Sequence, residues 1–193
     1  MRGILMAFSG VLLAGPVLAS ALLGEVTGNW AGASGQGFDF RAELTEEAGA
    51  ARLRIWQGMG GMLESEPQLD MTGVVYRDSI IAGGVQTLEL ASTGTATELL
   101  IVTEGTDEMG EVREVVRVAF LDNQFTVVGY SIALTGSPDG HDYDCTVDLV
   151  NDSVTAMGET RALEARAFED DNLSGWGPGA AFSRGFCPSP EAG

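Results

Sequence analysis

Side chains able to do covalent chemistry are few in this sequence and poorly spaced for it. There is one histidine and no lysine, which removes Schiff-base chemistry, Ser-Lys dyads and multi-histidine metal centres. His141 stands in the polar turn Pro138-Asp139-Gly140-His141-Asp142, and no G-x-S-x-G elbow offers it a serine. Carboxylates are so abundant that a pair of them carries no weight for glycoside hydrolysis. Ser34, within Gly32-Ala33-Ser34-Gly35-Gln36-Gly37, lacks the lysine and the following helix that a phosphate-cradling loop needs. No catalytic residue is assigned, and the chain is expected not to be an enzyme.

Three other groupings invite a chemical reading. Asp170, Asn172 and Ser174 place oxygen-bearing side chains on alternate positions before Gly175, as in the first half of a Ca²⁺ loop. Position 12 of that loop is Ala181 instead of a bidentate glutamate. Weak Ca²⁺ binding and a plain Asx-rich turn are therefore both open. Cys145 and Cys187 are too far apart for a C-x-x-C redox turn and are expected to form a structural disulfide. Trp56, Met59, Met62 and Leu63 surround Gly58, Gly60 and Gly61. An apolar, methionine-bearing connection of this kind suits a lid or portal for an apolar ligand, the alternative being a loop folded back over the core.

The elements that must position these groups are strands. Phe38, Phe40, Ala42 and Leu44 alternate with Asp39, Arg41 and Glu43, and Leu53 and Ile55 alternate with Arg52 and Arg54. Further runs cover 69–76, 85–91, 99–103, 112–121, 125–134 and 154–157. The pair 112–121 and 125–134 reads as a hairpin. Tyr143, Cys145, Val147 and Leu149 share one face, and Asp142, Asp144, Thr146 and Asp148 the other. One side of that sheet is wet and the other buried. About ten antiparallel strands are expected, as an all-β barrel or sandwich. Residues 159–169 fit a short helix or a last strand, and Pro178 can open one more helical turn that Gly185 ends.

Charge and the first residues set the compartment. Acids outnumber bases 28 to 10, for a net charge of −18, so nucleic acid and anionic headgroups are repelled and neither is an expected partner. Arg2, an apolar run from Ile4 to Leu18 and small residues at Ala19 and Ala21 have the order of a secretory signal peptide spanning residues 1–19, cleaved before Ser20 or Leu22. The mature chain, 20–193, is then one periplasmic or secreted domain without membrane insertion, its C-terminal extension from about residue 158 tied back by the disulfide.

Gly28-Asn29-Trp30 at the start of that domain resembles the G-x-W of the lipocalins and the wider calycin group. The resemblance implies an up-and-down barrel, with Trp30 plugging one end and Gly28 letting the chain pass beneath it, and an apolar cavity open at the other end. Haem-binding relatives with a similar start need a histidine ligand, and the turn around His141 does not suit one. Two functions follow as expectations: a binding module for a small apolar ligand, or an envelope interaction or inhibitor module that engages a basic protein.

Overall fold

Leu, Ile, Val and Phe recur at every second position through most of the chain, and strands that alternate in this way bury one face each. In a computed structural model, residues 20–31, 37–47, 50–73, 84–92, 96–107, 110–138, 140, 142–164, 171–177 and 179–189 are described. Their strands form two antiparallel sheets. The first contains β1 (Ala21–Asn29), β2 (Asp39–Glu47), β3 (Ala50–Met59), β4 (Met62–Leu63) and β5 (Leu69–Thr72), with β4 and β5 both paired to β3. The second is a seven-stranded meander of β6 (Val85–Ser92), β7 (Thr97–Asp107), β8 (Gly110–Leu121), β9 (Gln124–Thr135), β10 (Tyr143–Asp148), β11 (Ser153–Ala156) and β12 (Glu159–Ala162).

The protein is thus all-β and antiparallel, and no ladder closes the two sheets into one barrel among the described residues. They approach each other where β1 lies beside β6. A Cβ at Gly24 would press on the Leu88 backbone, so glycine permits this approach. Twelve strands are described, against about ten expected. The additions are β4, which lies in the glycine-rich connection, and β12, which settles 159–162 as strand instead of helix. Turn chemistry agrees with the hairpins. Asp122 and Asn123 both take positive φ (47° and 66°), as the two-residue turn between β8 and β9 requires.

Between the sheets lies one apolar core, with Phe40, Leu44, Leu53 and Ile55 facing Leu99, Ile101, Val118 and Val127. Each such side chain contributes roughly 1.5–3 kcal/mol when fully buried. The first sheet is too narrow to cover all seven strands of the second. The tail completes the cover: Leu173, Trp176, Ala180, Ala181 and Cys187 join the same core, and the Trp176 ring lies 6.0 Å from that of Tyr130. The tail carries a 3-10 turn at Leu173–Gly175 and the helix α1 (Ala180–Ser183), and Gly185 follows α1 at positive φ. Pro178, the expected helix start, and 165–170 lie outside the described residues, as does the segment 1–19 read as a signal.

The Cys145–Cys187 disulfide pins this tail to β10, with Cα atoms 5.9 Å apart. Beside it Tyr143 Oη donates to the Pro188 carbonyl at 2.7 Å. Arg161 Nη2 donates to the carbonyls of Gly185 and Phe186. Replacing both cysteines by alanine is expected to cost about 2–4 kcal/mol in urea unfolding. An unchanged unfolding midpoint would show that the tail holds its place without the bond.

Candidate functional site

At one end of the core between the sheets, Gly28 and Asn29 finish β1 and Trp30 follows in the turn. Trp30 is buried and stacks on Phe40, with ring centroids 3.9 Å apart and planes inclined by 17°. Phe120 and Phe125 complete an aromatic cluster around it. A Cβ at Gly28 would stand 2.9 Å from the Phe40 ring, so glycine makes room for the stack. Asn29 ties this corner together: its Nδ2 donates to the Gly37 carbonyl and to Asp39 Oδ1, and its Oδ1 accepts from Ala31 N.

The connection expected to be a loop is a hairpin. Gly60 and Gly61 take φ of 62° and 81° and turn β3 directly into β4. A Cβ at Gly58 would overlap the Met62 carbonyl, so the glycines that looked like loop residues serve close strand pairing. Asp39 Oδ2 accepts from Gly61 N at 2.8 Å and fixes the tip. The hydrogen bonds from Asn29 and Gly61 hold the Asp39 carboxyl below its usual range.

The four apolar residues of this segment do not converge, because strand parity divides them. Trp56 pairs with Arg41 on the outer face, buried beneath that guanidinium at 4.4 Å. Leu63, opposite Gly58, shares that side. Met59 and Met62 face each other on the inner side, beyond the last core residues, and are 65% and 77% exposed. They do not fold back over the core. Together with exposed Phe38, whose ring meets Phe120 edge-on at 5.8 Å, they carry the inner apolar surface out past the aromatic cluster. This is the same end as Trp30, whereas the lipocalin resemblance would set the open mouth opposite the tryptophan.

Sequence reading missed the other end of the interior. On the inner face of the second sheet, register aligns Gln86 with Thr103, Thr103 with Glu114 and Glu114 with Ile132. Neighbouring strands lie about 4.8 Å apart, so Gln86 and Glu114 flank Thr103 on centres roughly 10 Å apart. Gln86 is 3% exposed, and neither atom of its amide has a hydrogen-bond partner. Tyr130, which sits opposite Val116 one step along, is 1% exposed, and its hydroxyl lacks a bond of ordinary geometry. Glu114 lies between the core residues Val112 and Val116. Burial raises its pKa, partly offset by the nearby Tyr130 hydroxyl, and burial likewise raises that of Tyr130. The period-2 pattern held the signal, a Gln and a Glu at positions where Val or Leu is the rule, but an acid-rich chain masks one more acid.

Asn172 and Ser174 have structural partners. Asn172 Oδ1 accepts from Ser174 N (2.9 Å) and from Ser174 Oγ (2.6 Å), and its Nδ2 donates to Gln124 Oε1, so the pair caps the 3-10 turn. Asp170 and His141 lie outside the described residues, as does Ser34. Among the described residues no group of three or more His, Cys, Asp or Glu is placed to hold a metal ion. No helix among them is long and apolar enough to cross a membrane. Two surface grooves, of about 610 and 680 Å³, lie beside Met157 and Arg161 and beside Val85 and Arg113. The second is on the outer face, opposite the Gln86 row. No protein-family model, curated protein or solved structure matches this chain.

A carboxyl whose folded pKa exceeds its unfolded one costs stability once the pH passes the unfolded value. The native state then binds the extra proton, so stability falls as pH rises through this window. Glu114→Gln is therefore expected to raise the unfolding midpoint at pH 7 and to lose that advantage near pH 4. Equal effects at both pH values would place Glu114 in a solvated setting.

Proposed function

We propose that this protein is an exported, non-enzymatic binding module that takes a small, mainly apolar ligand between its two sheets. The observation that carries the reading is Gln86, whose amide is enclosed with both atoms unpartnered. Interiors that serve packing alone exclude or satisfy such groups, because an unmet buried polar group costs about 1–3 kcal/mol. A ligand that supplies the missing partner accounts for it. The surrounding inner face is aliphatic at Leu88, Ile101 and Val116, so the body of that ligand is apolar.

Met59 and Met62 support the same reading. Unbranched, polarisable thioethers adapt to varied apolar shapes, and their exposure is costly unless something uses it. They form the rim by which the ligand enters. The disulfide and the signal-like first residues fit an oxidising compartment. A second reading, contact with a basic envelope protein, draws on the net charge of −18 and on the same exposed hairpin.

N-phenyl-1-naphthylamine, a neutral apolar fluorophore, is expected to bind saturably at one site per chain. Met59→Asp combined with Met62→Asp is expected to reduce its uptake at least tenfold with the fold intact, since both residues are exposed. Mass spectrometry of an organic extract of the purified protein is expected to reveal a carried small molecule. Absence of saturable binding, together with a protein captured by crosslinking through the hairpin, would replace this reading by the second.

A further inference from the structure

The inner row of the second sheet carries a chemical preference as well as a place. Glu114 projects into the interior from between Val112 and Val116, and no arginine pairs with it among the described residues. Most arginines are engaged elsewhere. Arg52 and Arg54 bind Glu47 and Asp70 on the outside of the first sheet, and Arg113 and Arg117 bind Glu104 and Glu98 on the outside of the second. Arg161 holds the tail carbonyls. Among the described residues the interior thus presents acceptors without a balancing cation: the Glu114 carboxyl, with the Tyr130 hydroxyl beside it, and the unpartnered Gln86 Oε1. A buried carboxylate is costly when unpaired, and a cation that arrives with a ligand removes that cost.

We infer that the row Gln86–Thr103–Glu114, with Tyr130 beside it, is a head-group site for an amphipathic amine, whose ammonium donates to Glu114 while its apolar body lies along Leu88, Ile101 and Val116. An anionic head meets a like charge there, with no cation beside it among the described residues, and is rejected. The chain's overall negative potential draws such cations toward it and keeps carboxylates away. The inference rests on the proposed binding of an apolar ligand and adds the chemistry of its polar end.

Displacement of N-phenyl-1-naphthylamine by dodecylamine, dodecanol and dodecanoate, each below its micelle-forming concentration and in 0.15 M salt, tests it. Near-ultraviolet circular dichroism follows the fold throughout. Dodecylamine is expected to compete at least tenfold better than dodecanoate, with dodecanol between them. Glu114→Gln is expected to remove most of the amine advantage. Glu104→Gln, which deletes the same charge from the exposed outer face one residue beyond Thr103, is expected to leave it within twofold. Equal competition by amine and carboxylate overturns the inference, and so does an equal loss in the two variants. In either case the fluorophore still binds and the apolar-ligand reading stands. Failure of the fluorophore to bind the unaltered protein overturns both.

Discussion

The structure depends on covering one wide sheet. Seven strands in a meander present an inner apolar face that the first sheet, four strands across among the described residues because β4 and β5 share one edge of β3, cannot bury alone. Apolar area left in water is unfavourable in proportion to its extent, so a second cover is required. The C-terminal tail supplies it by laying Leu173, Trp176 and Ala181 against the β9–β11 side. A tail with four residues of helix has little order of its own. The disulfide, the bond from Tyr143 to Pro188 and the Arg161 clamp hold it where burial needs it.

The charge distribution follows from the same arrangement. With both inner faces committed to packing, acids and arginines collect on the outer ones. There they pair across strands, as Arg52 does with Asp70 and Glu47 and Arg117 with Glu98. Exposed pairs such as Arg113 with Glu104 add little stability. They matter more for what they leave unpaired: among the described residues the inward acceptors Glu114 and Gln86 have no arginine paired with them.

Much of this was legible in the sequence, and the exceptions have physical reasons. Alternation at 38–44, 112–134 and 143–149 identified strands, because a half-buried sheet imposes period two. The Asp122-Asn123 turn and the tail disulfide were readable for similar local reasons. Glycines around Met59 and Met62 suggest a loop-like connection in the sequence alone. Positive φ at Gly60 and Gly61 and the tight pairing at Gly58 make it a hairpin. Trp56 stands near the methionines in sequence, yet parity turns it to the opposite face. Asp170-Asn172-Ser174 showed its oxygens but not their use, since Asn172 caps a turn whose place is set by distant contact with β9. The row from Gln86 to Glu114 joins three strands by register, and register is not written in any one of them.

The account turns on whether the enclosed amide of Gln86 meets a ligand, and its side-chain ¹H–¹⁵N resonances report this directly. During titration with N-phenyl-1-naphthylamine they are predicted to shift and to saturate together with the fluorescence. Resonances of Gln86 that stay fixed while the fluorophore saturates would contradict the account, because binding would then lie outside the space between the sheets.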